Sequence, residues 1–382
     1  MRGLAVLRTR ALPLGALLAA LAVAGCSSKT NSVVSVTGTT LTIYGSQPTG
    51  GAGGQTAADV IDAEKLALKQ NGSKVGKYTV TFVPLNGKEL SDNPRTAIQN
   101  QSAIAYLGEI EPGTSQISVE ITNELDLLQV SPTDTAVYLT QPTAAVPDAP
   151  GHYYPDSSSY HETFARVVPT TAQEAKAIVA EMQSLHLSKL YVGDDGQPYG
   201  ASIALEVRQD APAHGLTVVS SPSGADAVFY GSNSVSAATT AVDRAADQSP
   251  GAKLFVPSAL YLGSFVSGLS AAAQHNLYVS SPGFSSSTLT PAGRQFESAF
   301  AAAYGHAPVP QAIFGYEAMA SVLAVLKEAA GNADDRGTVV SDYRALKDRQ
   351  SVLGTYSIVD GDTTIAPFIF ARVQSGTLVP IK

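Results

Sequence analysis

Short β-branched-rich runs alternate with longer runs of helical periodicity along most of this chain, and the alternation happens twice in series. The first series opens with "LTIYG" (41–45) and a Gly-rich loop to Gly54. In "QTAADVIDAEKLALKQNG", Ala57, Val60, Ile61 and Leu68 share one helical face, and Asn71-Gly72 supplies a stop. The strand-like "YTVTFVPL" (78–85), a helix near 94–102, the strand-like "AIAYLG" (103–108) and a helix near 115–125 follow. They lead to "LLQV", which ends at Ser131-Pro132. After a loop rich in Pro, Ser and Tyr (141–160) the pattern restarts with "TFARVV". The next helix spaces Ala175, Ile178, Val179 and Met182 as i, i+3, i+4, i+7. "KLYVGDD", "LTVVS", "DAVFYG", "KLFVPS" and "LYVSSP" continue the series, most of them separated by helix-like runs. Alternation of this kind specifies a parallel sheet covered by helices on both faces. Two sets in series predict an α/β chain of two doubly wound lobes.

The remainder breaks the alternation. Amphipathic helices are predicted over 292–304 and 313–330, with a shorter one over 339–347 and no strand between them. Hairpins come last, with Asp360-Gly361 and Ser375-Gly376 as turn signals. We expect the helices to return to the first lobe and the terminal strands to join the second. Lobe 1 is then 41–160 plus 285–350, and lobe 2 is 161–284 plus 351–382. Three segments cross between them, near 160, 284 and 350.

The N-terminus reads as an export signal over 1–25. Arg2, Arg8 and Arg10 precede an apolar run from Ala11 to Gly25. That run falls short of the roughly 20 residues a membrane span needs. Val23-Ala24-Gly25-Cys26 resembles the lipobox of bacterial lipoproteins, in which the cysteine becomes the lipid-modified first residue. An ordinary signal peptide that happens to contain a cysteine is the plainer reading. Cys26 is the one cysteine of the chain, and an exported protein's lone thiol needs a reason. Acylation supplies it and predicts a lipid anchor on the outer face of the cell membrane. The small, polar residues 26–40 are expected to be a flexible tether.

The net charge of −8 is scattered, with no basic patch to hold nucleic acid. The chain contains no H-E-x-x-H, G-x-S-x-G, G-x-x-x-x-G-K-[ST] or cysteine cluster, and its six histidines are spread singly. No metal, cofactor or catalytic residue is expected. Serine is abundant, so an exported serine hydrolase stays open as a reading of another class. The stretch after the apolar run, Ser131-Pro132-Thr133-Asp134-Thr135, has two readings of its own. Such residues cap helices, and strand ends of this kind bind ligands in open α/β sheets.

Several segments, in order, resemble the type I extracytoplasmic solute-binding proteins of ABC importers, in the leucine/isoleucine/valine-binding class. They are "QTAADVIDAEKLAL", "AIAYLGEIEPGTSQISVEITNELDLLQVSPTDTAVYLT", "FARVVPT", "YVGDDGQPYG", "DAVFYG" and "FGYEAM". The resemblance implies a receptor, not an enzyme, that captures a small polar solute (an amino acid or related compound) in the cleft between lobes. It delivers that solute to a permease with a cytoplasmic ATPase subunit. A monomer is the simpler expectation, and a ligand-sensing module for a membrane signalling partner is the alternative within the same fold. By the same resemblance, Thr135 gives its hydroxyl and backbone N–H to a ligand carboxylate, and the Thr133 carbonyl accepts from an ammonium. The neighbouring loop's hydroxyl falls on Pro112, so Thr114 or Ser115 substitutes. Tyr199, and Tyr230 or its neighbours in "FYGSNS", come from the second lobe, and Tyr44, Gln47 and the Gly-rich loop after it form a further wall. Ser258 stands where such proteins carry the acid for the ammonium. Either the ligand is no α-amino acid, or Glu109, Glu111 or Asp134 takes over the charge.

Overall fold

The computed structural model describes residues 34–48, 53–154 and 162–381. The export signal, Cys26 and the first part of the expected tether lie outside these residues. The first series builds β1 (Thr40–Ser46), α1 (Gly54–Asn71), β2 (Lys74–Val75), β3 (Tyr78–Leu85) and α2 (Asp92–Gln99). It continues with β4 (Ala103–Leu107), α3 (Ser115–Asn123), β5 (Leu128–Ser131) and β6 (Phe164–Arg166). These strands form one sheet in the order β2-β3-β1-β4-β5-β6, parallel except for the edge pair β2–β3.

The second series builds α4 (Thr171–Ser184), β7 (Lys189–Asp194), α5 (Pro198–Asp210), β8 (Thr217–Val219) and β9 (Ala227–Gly231). Then come α6 (Val235–Gln248), β10 (Lys253–Val256), α7 (Gly263–Gly268), α8 (Ala271–Asn276) and β11 (Leu277–Pro282). Next are α9 (Pro291–Tyr304), α10 (Ala312–Ala329), α11 (Arg336–Arg344), β12 (Arg349–Ser351), β13 (Gly354–Tyr356), β14 (Ile358–Val359) and β15 (Asp362–Thr363). The chain ends with β16 (Phe368–Gln374) and β17 (Thr377–Ile381). The second sheet runs β17-β16-β11-β10-β9-β7-β8, with β16 and β17 antiparallel to their neighbours.

The period of two along each strand assigns residues to layers. In lobe 2, Val228 and Leu254 pack with Val242 and Phe265 on the α6–α8 side, while Phe229 and Phe255 pack with Ile178 and Ile203 under α4 and α5. In lobe 1, Leu41 and Ile43 face the layer that includes α10 and α11, whereas Tyr44 faces Ala97 of α2. Gly315 lets α10 close on α1, since a Cβ there would sit 2.6 Å from the Val60 carbonyl oxygen. Thr170 opens α4 with a capping box through Gln173. Both predicted hairpin turns occur, with positive φ at Asp360, Gly361, Ser375 and Gly376.

Three expectations change. Within the tether, Val36 is buried, its N–H donates to the Asp334 carbonyl, and Ser35 bridges to Asp335. Folded structure therefore begins before residue 41, because Val36 carries apolar surface that the fold buries. The strand "FAR", assigned to lobe 2, pairs with β5 and belongs to the first sheet. The segment 351–363, also assigned to lobe 2, packs on lobe 1: Leu353, Tyr356 and Ile358 join its core, and the Gly361 carbonyl accepts from Arg166 N–H. The crossings thus lie after β6, after β11 and before β16. The last two run side by side, Pro282 opposite Phe368 and Gly283 N–H bonded to the Pro367 carbonyl.

Candidate functional site

In each lobe the five parallel strands run in the order second, first, third, fourth, fifth, so both sheets have a switch point where a crevice opens at the strands' carboxyl ends. The loops leaving those ends meet around a cavity of about 340 Å³. Lobe 1 contributes Ile110, Glu111, Pro112 and Thr114 after β4, Thr133 after β5, and Gly53, Thr56 and Gln311. Lobe 2 contributes Asn233, Ser234 and Val235 after β9, then Ser258, Ala259, Tyr261, Leu262 and Ser264 after β10. A recess of about 170 Å³ adjoins it, shares Glu111 and Thr114, and reaches Gln47, Lys88 and Glu109.

Of the expected site residues, Thr133, Thr114, Glu111 and Ser258 line the cavity. Thr135 and Tyr199 lie behind its wall, fully or almost fully buried, with their hydroxyls 3.2 Å apart across the two lobes. Thr135 therefore acts through Tyr199 and is not in the lining. Ser115 is buried too, its Oγ accepting from Glu109 N–H at 3.0 Å. Tyr44 and Tyr230 are not at the cavity. Strand alternation turns Tyr44 onto α2, where its hydroxyl accepts from Asn100 Nδ2 at 2.6 Å. Tyr230 packs against the lobe 2 core on the α6 side.

The stretch after β5 is a web of its own hydrogen bonds. Ser131 Oγ donates to the Glu109 carbonyl at 2.7 Å and accepts from Asp134 N–H at 2.8 Å. Thr133 Oγ1 donates to the Ile110 carbonyl. The Asp134 carboxylate accepts from Gly113 N–H (2.7 Å), Ser115 N–H (2.9 Å) and Ala136 N–H (3.0 Å). The anion at the N-terminus of α3 is thus the protein's own. The stretch divides between its residues: Asp134 satisfies a neighbouring helix, and Thr133 lines the cavity.

Beneath Ser258 sits a fully buried acid that sequence reasoning missed. Glu174 of α4 accepts from Ser258 N–H at 2.6 Å, from Ser258 Oγ at 3.0 Å and from Ser280 Oγ at 2.5 Å. Burial raises its pKa, and these hydrogen bonds offset part of the rise. Burial also raises Glu111, and it pushes Glu109 up to about 7 against hydrogen bonds from Ser46, Tyr106 and Ser118. Gln311, missed as well, is 4% exposed and its Oε1 has no partner. It stands just before "FGYEAM", a segment flagged for its order along the chain and not for any side chain. Among the described residues no lysine, arginine or histidine lines this cavity, and no His, Cys, Asp and Glu group stands in metal-holding geometry.

The lobes touch along one rim. Asn233 Nδ2 donates to the Pro112 carbonyl at 2.9 Å, and Tyr199 and Ala259 of lobe 2 share an apolar cluster with Val119 and Tyr138 of lobe 1. Among the described residues no helix is long and apolar enough to cross a membrane.

The family model described as periplasmic binding protein matches residues 46–377. No curated protein matches the chain. Among solved structures, a leucine-binding protein from Thermotoga maritima superposes with a TM-score of 0.72 at 16% identity, over 90% of this chain and 98% of that one. A branched-chain amino acid transporter substrate-binding protein from Streptococcus pneumoniae, in complex with isoleucine, gives 0.66 at 15% identity, over 90% and 100%. A Rhodopseudomonas palustris solute-binding protein of an ABC transporter, in complex with benzoate, gives 0.67 at 16% identity, over 90% and 96%. At these identities the superpositions establish the fold.

Proposed function

Since the chain belongs to the periplasmic binding protein family, we propose that it is the lipid-anchored, extracytoplasmic solute-binding component of an ABC importer. It captures a small solute, an amino acid or a related compound, between its lobes and delivers it to a permease coupled to an ATPase, acting as a monomer. The observation that carries this reading is the cavity of about 340 Å³ enclosed by loops from both lobes. That size suits a small ligand, and solute bound there touches both halves, so binding energy favours the closed arrangement. Thr114, Thr133 and Ser258 in the lining are held by bonds of their own, which keeps them in place before solute arrives. The three crossing segments are the hinge. Thr133, Thr114, Glu111 and Ser258 are the contacting residues, with Tyr199, Thr135 and Ser115 supporting them from behind.

The test is a broad thermal-shift screen followed by calorimetry and small-angle scattering. One solute class should bind saturably, raise the melting temperature as linkage requires, and shrink the radius of gyration. A screen that returns no saturable ligand, or a scattering curve unmoved by a bound one, overturns the receptor reading. Turnover of a model ester that vanishes on mutating one serine establishes the hydrolase instead.

A further inference from the structure

The polar groups of the cavity are matched to a particular kind of guest. A hydroxyl has one proton to donate and two lone pairs to offer. Thr114 Oγ1 spends its proton on the Glu111 carbonyl at 2.6 Å, and Thr133 Oγ1 spends its own on the Ile110 carbonyl. Ser258 Oγ donates to Glu174 at 3.0 Å. With those protons turned inward, the three side chains present lone pairs to the cavity. Glu111 adds a carboxylate. Ser234 Oγ accepts from Ala237 N–H at 3.4 Å, and the hydroxyls of Thr56, Tyr261 and Ser264 rotate to serve either role and do not choose.

The places that could receive an anion are largely taken. The N-terminus of α3 is filled by Asp134, and among the described residues no lysine or arginine lines the cavity. Ile110, Val235 and Leu262 leave an apolar wall for the body of the guest. First turns without a side-chain cap reach the cavity at α1, beside Gly53, and at α10, whose N-cap is Gln311, while the first turn of α6 is capped by Ser234.

Resting on the receptor reading, we infer that the solute has an apolar body and a hydrogen-bond-donating N–H head, an amine or an amide, and carries no carboxylate. A carboxylate placed among these acceptors faces hydroxyls whose protons are turned away and meets Glu111 as a like charge. An N–H head instead satisfies the hydroxyl lone pairs.

The test uses the wild-type mature protein and isosteric ligands, so no variant need fold. Isopentylamine, isovaleramide and isovalerate share one skeleton, and benzylamine, benzamide and benzoate share another. Leucine and leucinamide differ only in the carboxylate. Calorimetric Kd values should favour the amine or the amide over the matching carboxylate by on the order of a hundredfold, and leucinamide over leucine. Glu111→Gln then separates the two heads: it weakens an amine about tenfold and an amide by less than the amine. Carboxylates that bind as tightly as their amides, or leucine tighter than leucinamide, overturn the inference and leave the receptor reading intact. If the panel is silent and the broad screen returns another solute, its head decides: a carboxylate overturns the inference, and an N–H donor without one supports it. No ligand from either overturns the receptor reading itself.

Discussion

Removing Asp362 should unfold this protein more readily than removing most surface charges, and the structure says by how much. Arg166 is fully buried, and its NH1 donates to the Asp134 carbonyl (2.9 Å) and the Ala136 carbonyl (2.8 Å). Its NH2 donates to Thr140 Oγ1 at 2.8 Å. Its Nε lies 2.8 Å from Asp362 Oδ1. Nε–H has no aligned acceptor, so that contact is Coulombic and not a directed hydrogen bond. Asp362 also accepts from Thr140 Oγ1 at 2.9 Å and Gln141 Nε2 at 2.6 Å. At 2.8 Å and an effective permittivity of about 20, the attraction is about 6 kcal/mol before desolvation. Asp362→Ala strands a buried guanidinium and should cost about 3–5 kcal/mol, a large share of the roughly 5–15 kcal/mol by which proteins are stable. Urea unfolding followed by far-UV circular dichroism should show the midpoint falling with the slope unchanged. Arg166→Met with Asp362→Ala should recover most of the loss, because no charge is left buried. The methionine cannot hold the carbonyls of 134 and 136, so the recovered protein should bind solute more weakly. An unchanged midpoint in the single variant, or a double variant no more stable than the single, refutes the reasoning.

Three further outcomes are expected. Gly113 has φ +85°, and a Cβ there would sit 2.9 Å from Asn233 Nδ2 and 3.1 Å from Tyr199 Cβ across the cleft, so Gly113→Ala should prop the lobes apart and raise the solute Kd about tenfold, read by calorimetry. The folded-state pKa of Glu109, about 7 against an ordinary 4.5, means the folded state keeps a proton that the unfolded chain has lost. Stability should therefore fall as pH rises from about 4.5 to 7 and level off above, by about 3 kcal/mol from this group. Urea midpoints for wild type and Glu109→Gln should converge or diverge by that amount across the window, and parallel pH profiles would remove Glu109 as the source. Cys26→Ser should move the protein from the membrane to the soluble fraction, and retained membrane association counts against the lipid anchor.

Much of the fold was legible because the signals that mark it are local. The spacing of Ala175, Ile178, Val179 and Met182 required only one helix face to be apolar, and all four are buried. The paired turn residues at 360–361 and 375–376 closed hairpins by their own backbone preference. Thr133, Thr114, Glu111 and Ser258 reached the cavity lining because they follow strands at the carboxyl ends of sheets. Tyr44 did not, although the alternation that turns it onto α2 was itself readable.

What escaped depended on partners far along the chain. The strand at 164–166 was drawn to lobe 1 by β5 and by Asp362, nearly two hundred residues away. Glu174 meets Ser258 across 84 positions, and nothing in a helix of ordinary composition announces that. By sequence Asp134 is a candidate to meet a ligand's positive charge, yet the fold brings Gly113 and Ser115 to it and makes it the resident anion. Periodicity is set by neighbours a few residues apart, so one chain contains it in full. The partner of a buried polar group is chosen by where two distant segments meet, and only the packed structure decides that.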